Sequence, residues 1–172
     1  MTAERFGDVD HIFHININCS DFDRSLAFYR LAGFEVILDF STAPGSHLTF
    51  GEVGLGPILG LPDDCAGRAA LLALSDDRRA TRLDLIEWKR PIVKAARREN
   101  LAQPGIARIC LKTSDAEAVH ARLAAAGYPA YSKPTELALG GSLLKVFCVE
   151  DPDGVVIEFM QFLGPDRGTP PA

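Results

Sequence analysis

The chain contains an internal repeat, and this repeat constrains its fold more than any other feature. Residues 13–34 align with residues 107–128 at a constant shift of 94, without a gap. Identical pairs fall at the following positions: Ile15 and Ile109, Ser20-Asp21 and Ser114-Asp115, Ala27 and Ala121, and Ala32-Gly33 and Ala126-Gly127. The matches include a helix-capping pair and a terminal glycine, where backbone geometry restricts the residue type. The chain is therefore predicted to contain two copies of one structural unit.

Each copy is predicted to begin with a strand followed by a helix. In the first copy, residues 14–19 alternate polar and apolar side chains, as a half-buried strand does. Ser20 or Asp21 can cap the helix that follows, and Gly33 can end it. Phe22, Leu26 and Tyr29 then share one helix face. The second copy repeats the pattern with Ser114 or Asp115 as cap, Val119, Leu123 and Ala126 on one face, and Gly127 as stop.

A second match lies at the end of each copy. Residues 83–88 align with residues 157–162 at a shift of 74, and both are predicted strands with an acid at the second position of a mainly apolar run. The smaller shift places about 20 additional residues in the first copy, which we expect in the Gly/Pro-rich stretch 51–67. Asp151-Pro-Asp-Gly154 predicts a turn between strands at 143–149 and 155–162.

These elements predict an α+β fold of two paired βαβββ modules, which form a cupped, mostly antiparallel sheet with helices outside. We expect one domain over residues 1–172, with module one at about 9–90, a linker at about 91–104, module two at about 105–163 and a short tail at 164–172. Neither module alone could cover both faces of its sheet, so the modules are expected to pair.

Strand alternation assigns the polar side chains to faces. Four groups are each predicted to share a face: His14, Asn16 and Asn18; Asp84, Ile86 and Trp88; Arg108, Cys110 and Lys112; and Val156, Glu158 and Met160. Glu87 is expected on the opposite face from Asp84. The repeat thus gives four equivalent positions, His14, Arg108, Asp84 and Glu158, and we predict that all four line one pocket between the modules. Such a cluster would be costly to bury without a function.

The repeated unit resembles the vicinal oxygen chelate superfamily, which has the glyoxalase/bleomycin-resistance/extradiol-dioxygenase fold. The resemblance covers residues from about 10 to 162 and is carried by five segments: residues 14–21, 22–29, 83–85, 105–108 and 151–159. The combination is specific for the fold but not for the reaction, because this fold supports isomerases, epimerases, lyases, dioxygenases, thiol transferases and drug-binding proteins.

The resemblance implies a divalent metal (Mn, Mg, Fe or Zn) bound at His14, Asp84 and Glu158, with the fourth ligand position occupied here by Arg108. A guanidinium has no lone pair to donate, so Arg108 cannot replace the usual histidine ligand. Two alternatives stay open. Either Arg108 turns away and the other three residues hold a metal completed by water, or Arg108 replaces the metal as a fixed positive charge paired with Asp84 or Glu158. We favour the metal-free alternative, because Arg108 can satisfy both acids.

Two functions fit this set of residues. The first is a lyase or isomerase that forms an enolate or oxyanion stabilised by Arg108 or a metal, while Glu158, Asp84 or His14 moves the proton. The alternative is a bleomycin-resistance-like protein that binds or sequesters a ligand without turnover; an extradiol dioxygenase is disfavoured by Arg108. Substrate contacts are predicted from Arg108, Asn16, Asn18, Cys110, Trp88 and Met160, with an apolar wall from Phe50, Trp88, Phe147, Phe159 and Met160.

Composition limits the partners and the compartment. A net charge of −5 gives no basic surface for nucleic acid or an anionic membrane. No apolar run is long enough to span a bilayer, and the N-terminus lacks the apolar core of a secretory signal. Four scattered cysteines favour a reducing cytoplasm over a disulfide or zinc scaffold. We therefore expect a cytoplasmic protein with a small-molecule ligand, which forms a homodimer through its open sheet edges.

Overall fold

A computed structural model describes residues 8–93 and 99–165 of the 172-residue chain. The chain divides after Val93 into two compact units, called unit 1 and unit 2. Each unit contains one four-stranded open sheet, and each is described separately below.

Unit 1 contains four strands and two helices. In chain order they are β1 (His14–Asn18), α1 (Phe22–Leu31), β2 (Glu35–Asp39), α2 (Leu55–Leu59), β3 (Ala66–Ala73) and β4 (Arg82–Arg90). The strand order is β1-β4-β3-β2. β1 runs parallel to β4, because α1 carries the chain across the sheet, and the other two pairs are antiparallel.

Unit 2 has the same topology with one helix. Its elements are β5 (Ile109–Lys112), α3 (Ala116–Ala125), β6 (Thr135–Leu139), β7 (Ser142–Glu150) and β8 (Val156–Pro165). The order β5-β8-β7-β6 matches that of unit 1 strand for strand, and only β5 and β8 are parallel. The predicted α+β class and the repeated βαβββ unit are therefore confirmed.

The two crossover helices begin and end in the same way. Oδ1 of Asp21 accepts a hydrogen bond from the Arg24 backbone N–H at 3.0 Å, and Asp115 caps α3 through Ala118 at the same distance. Gly33 and Gly127 follow the helices at φ values of +108° and +87°, which residues with a Cβ rarely adopt. The repeat in the sequence thus reflects matched helix termini.

The additional length of unit 1 lies in the connection between β2 and β3. This connection covers residues 40–65 and includes α2, whereas Gly140 and Gly141 alone join β6 to β7. The expected stretch 51–67 is therefore only partly right, because the insertion starts earlier and its last two residues belong to β3. The connection is tightly folded: a Cβ at Gly51 would lie 1.8 Å from the backbone oxygen of Asp63.

The core of each unit lies between the sheet and its helix. In unit 1 the guanidinium of Arg68 on β3 lies 4.0 Å from the centre of the buried Phe22 ring on α1. In unit 2 the Phe147 ring stacks on Phe159 at 5.0 Å and meets the edge of His120 on α3 at 5.3 Å. Phe147 and Phe159 thus face the helix, and their assignment to an apolar ligand wall is wrong. Strand alternation turns both rings away from Glu158.

No helix within residues 8–93 and 99–165 has the length and hydropathy needed to cross a membrane.

Candidate functional site

The parallel strand pairs bring the predicted site residues together within each unit. In unit 1, Asn16 on β1 lies opposite Asp84 on β4, and in unit 2, Cys110 on β5 lies opposite Glu158 on β8. These pairs keep the shifts of 94 and 74 found in the sequence. Because opposite residues in a parallel pair point to the same side, each pair shares a face.

That face points away from the helix in both units, and we call it the distal face. On the helix side of unit 1, Arg68 contacts Phe22 and lies opposite Glu87, so Glu87 faces the helix as predicted. On the helix side of unit 2, Oε1 of Gln161 accepts a hydrogen bond from the backbone N–H of Ala116 at the start of α3. The alternate residues are therefore distal: His14, Asn16, Asn18, Asp84 and Trp88 in unit 1, and Cys110, Glu158 and Met160 in unit 2.

Asp84 is the distal carboxyl group of unit 1. Its Oδ1 is buried and has no hydrogen-bond partner within residues 8–93 and 99–165. Burial raises the pKa of Asp84, and the positive charge of His14 together with hydrogen bonding from Asn16 only partly opposes this shift. His14 itself lies exposed at the start of β1. Unit 1 therefore holds an acid whose pKa is raised above its ordinary value, beside an exposed histidine.

The amides of unit 1 are held by β4. Nδ2 of Asn16 donates to the backbone oxygen of Asp84 at 3.0 Å, and Nε1 of Trp88 donates to Oδ1 of Asn18 at 2.8 Å. The Trp88 ring also meets the edge of Phe50, with 5.5 Å between ring centres. Phe50 belongs to the long connection 40–65, which unit 2 lacks, so this aromatic contact distinguishes the two units.

Gly67 makes room for that contact. It lies opposite Trp88 in the β3–β4 pairing, and a Cβ there would stand 3.2 Å from the Phe50 ring and 2.5 Å from the backbone oxygen of Glu87. A side chain at this position would displace backbone as well as ring. The glycine therefore permits Phe50 to pack beside Trp88.

An ion pair dominates the distal face of unit 2. Nε of Arg108 donates to Oε2 of Glu158 at 2.9 Å. The Glu158 side chain is 11% exposed, whereas the Arg108 side chain is 46% exposed. The hydrogen bond and the charge of Glu158 raise the pKa of Arg108, so its guanidinium stays charged at any working pH. The sequence left two arrangements open, one in which Arg108 turns away and one in which it pairs with Asp84 or Glu158. The observed contact is the pairing with Glu158.

Two thiols flank Glu158 in the sheet. Cys110 lies opposite it on β5 and Cys148 lies opposite it on β7. The pKa of Cys110 is raised to about 11, mainly by partial burial and next by the charge of the neighbouring Glu158 carboxylate. The same two causes raise the pKa of Cys148. Both groups are therefore neutral thiols at pH 7, which makes Cys110 a poor nucleophile.

Sequence reasoning missed Cys148 as a distal residue. It stands inside an apolar run, and nothing in that run assigns it to the site. Its place beside Glu158 depends on the pairing of β7 with β8, which the sequence does not specify. Strand alternation within residues 143–149 places Phe147 and Cys148 on opposite faces of the sheet, and this pattern could have identified Cys148 as a distal residue.

The residues present do not fit a resident divalent ion. Glu158 is engaged by a guanidinium, which repels a cation and cannot ligate one. His14 and Asp84 of unit 1 supply two donors, and no group of three or more His, Cys, Asp or Glu side chains that could hold a metal is found in the described part of the chain. We therefore derive no chemical step through a metal ion.

Comparison with known proteins gives the family. The model of the Glyoxalase/Bleomycin resistance protein/Dioxygenase superfamily matches residues 11–159. The chain therefore belongs to this superfamily, and the resemblance found in the sequence is confirmed. No curated protein sequence matches the chain.

Solved structures agree on the fold. A glyoxalase family protein from Bacillus cereus is 16% identical with a TM-score of 0.71, and the match covers 94% of this chain and 100% of that one. The trypanothione-dependent glyoxalase I of Leishmania major is 19% identical with a TM-score of 0.57, covering 89% and 87% of the two chains. A virulence protein from Salmonella typhimurium is 21% identical with a TM-score of 0.52, covering 91% and 100%. At these identities the likeness concerns the fold alone.

Proposed function

We propose that the protein is a small-molecule enzyme of the lyase or isomerase type, in which Arg108 stabilises a developing enolate or other oxyanion. The observation that supports this is the single-point contact between Arg108 and Glu158 through Nε. The terminal guanidinium nitrogens make no hydrogen bond within the described ranges, so they can hold a ligand oxygen. A fixed guanidinium charge stabilises an oxyanion in the way a metal ion otherwise would.

Proton transfer is assigned to three residues. In unit 2, Glu158 is the proposed base, because its carboxylate is already next to the guanidinium that would hold the carbonyl oxygen. In unit 1, Asp84 and His14 are proposed as further proton carriers, because burial raises the pKa of Asp84 from its ordinary value towards the working pH. Substrate contacts are proposed for Arg108, Asn16, Asn18, Cys110, Trp88 and Met160. The homodimer and the cytoplasmic location stay predictions.

The test is exchange of a carbon-bound proton with solvent. An enzyme that forms an enolate replaces the proton next to a carbonyl with deuterium, which NMR in D₂O detects for a panel of small aldehydes, ketones and 2-oxo acids. Arg108→Gln and Glu158→Gln should each lower the exchange rate by about 100-fold or more. Arg122→Gln on α3 removes the same charge from the helix side of unit 2 and should leave the rate unchanged. Equal rates in the parent protein and Arg108→Gln would contradict the proposal.

A second candidate is a ligand-binding protein without turnover. It is favoured by the contact of Trp88 with Asn18 and Phe50, because this gives unit 1 a fixed aromatic surface whose groups move no proton. In that case a ligand would change the fluorescence of Trp88, while every compound that binds would be recovered unexchanged and unaltered.

A further inference from the structure

Asn18 presents a hydrogen-bond donor whose direction is fixed by chemistry. The indole N–H of Trp88 can only donate, so the Asn18 atom that it contacts at 2.8 Å must be Oδ1. The Nδ2 group therefore points elsewhere, and its two N–H bonds have no partner within residues 8–93 and 99–165. Asn18 is exposed, so these donors are available to a ligand.

Asn16 presents the opposite polarity. The backbone oxygen of Asp84 can only accept, so the Asn16 atom that it contacts at 3.0 Å must be Nδ2. Oδ1 of Asn16 is left without a partner in the described part of the chain, on an exposed residue. The buried Oδ1 of Asp84, on the residue directly opposite, likewise lacks a donor. The acceptor that this end of the face offers to a ligand is therefore Oδ1 of Asn16.

Trp88 adds an apolar surface beside the donor. Its N–H is already used by Asn18, and Gly67 opposite it places no side chain near the ring. Phe50 contacts Trp88 edge-on, with an angle of 74° between the two rings. The partly exposed ring can therefore accept a flat apolar group.

The three features follow one another along the sheet in the order apolar ring, donor, acceptor. Asn18 and Asn16 are two residues apart on a strand, which is about 6.6 Å. Each hydrogen bond to a ligand adds about 2.9 Å, so one amide group can reach both side chains. Its carbonyl oxygen would face Asn18 and its N–H would face Asn16. A carboxylate fits less well, because it would place a second acceptor against Oδ1 of Asn16.

We propose that the distal face of unit 1 binds a neutral aromatic carboxamide, with its ring against Trp88, its carbonyl oxygen on Asn18 and its N–H on Asn16. This proposal rests on the proposed function in taking these three residues as ligand contacts, and it names the class of ligand that they select. It requires no turnover and no contribution from Arg108.

The fluorescence of Trp88 provides a direct test, because it is the only tryptophan of the chain. Titration of the whole protein with benzamide should give a saturable change in emission. Benzoate has nearly the same shape as benzamide but lacks the N–H donor, and it should bind at least about tenfold more weakly, because an acceptor is then left unpaired. This comparison needs no substitution.

Asn18→Asp tests the assigned donor with a side chain of the same shape. It removes the donor and places an acceptor against the ligand carbonyl, so benzamide affinity should fall by about tenfold or more. Asn100→Asp makes the same change in unit 2, where the side-chain oxygen accepts from the backbone N–H of Ala102, and it should leave the affinity unchanged.

Three results would overturn the proposal: no saturable change with benzamide, benzoate binding as tightly as benzamide, or equal benzamide affinity in Asn18→Asp and Asn100→Asp. None of these measurements involves proton exchange. Failure here would therefore leave the role of Arg108 standing, and loss of the exchange activity would leave benzamide binding standing.

Discussion

Asp84 and Glu158 occupy equivalent positions in the two sheets, but their carboxyl groups have opposite surroundings. Glu158 accepts a hydrogen bond from Arg108 at 2.9 Å, whereas Oδ1 of Asp84 is buried without a partner in the described part of the chain. The two copies therefore share the position of the acid but differ in the hydrogen-bond partner of its carboxyl group. Burial without a partner raises the pKa of Asp84, whereas the Glu158 carboxylate is held against a guanidinium.

The burial of Asp84 predicts a pH-dependent cost to stability. Its pKa in the folded protein lies above the ordinary value of 3.8, so the folded state binds more protons in the window above that pH. Stability then falls as the pH rises through this window. Asp84→Asn should remove the charge and raise the Tm at pH 7 by about 2–4 °C, which corresponds to about 1 kcal/mol in a chain of this size.

Thermal unfolding of both proteins from pH 3.5 to pH 8 checks this prediction. The Tm difference between Asp84→Asn and the parent should shrink as the pH falls towards 3.8, because Asp84 in the folded state is then increasingly protonated. Exposed Asp63 supplies the control, because Asp63→Asn removes a charge that is not buried. A difference that stays constant with pH, or a lower Tm at pH 7, would count against the buried charge as its cause.

Local features of this fold could be predicted from the sequence because they depend on neighbours along the chain. The caps at Asp21 and Asp115 and the stops at Gly33 and Gly127 each involve residues within one turn of helix. The alternation that placed Asn16 beside Asn18 is likewise local. Combined with the repeat, these features predicted the βαβββ element order of both units and the side of the sheet on which Asp84 and Glu158 lie.

Contacts between distant segments could not be predicted in this way. The packing of Phe50 against Trp88 depends on the path of the connection 40–65, which contains no repeated motif. The place of Cys148 beside Glu158 depends on the register between β7 and β8. Phe147 is aromatic, and an aromatic side chain suits either a ligand pocket or the core beneath a helix. Its contact with His120 on α3 places it in the core.

Arg108 and Glu158 should be strongly coupled in stability. Arg108→Gln leaves a carboxylate that is 11% exposed without its donor, so we expect a loss of about 1–3 kcal/mol in the free energy of unfolding. Glu158→Gln should cost less, because Arg108 is 46% exposed and water can replace its partner. The double variant should be more stable than the sum of the two losses implies.

Urea unfolding of the two single variants and the double variant measures this coupling. Lys145 and Glu117 serve as the comparison, since Nζ and Oε1 lie 3.3 Å apart and the Glu117 side chain is 60% exposed. That pair should show less than about 1 kcal/mol of coupling, as exposed ion pairs do. Equal coupling energies for the two pairs would show that the enclosure of Glu158 contributes nothing.

Cys110 should be accessible but slow to react. Its pKa of about 11 leaves roughly a hundredfold less thiolate at pH 8 than an unshifted thiol with a pKa of 9.0 would have. Alkylation by iodoacetamide, followed by mass spectrometry of the Cys110 peptide, should therefore be about 100-fold slower in the folded chain than in the same chain unfolded in urea. The folded rate should rise about tenfold per pH unit up to pH 10.

Glu158→Gln removes the like charge beside the thiol and frees the Arg108 guanidinium, so it should lower the pKa of Cys110 and speed its alkylation. If Cys110 reacted equally fast folded and unfolded, the enclosure by Glu158 and its neighbours would have no effect on the thiol.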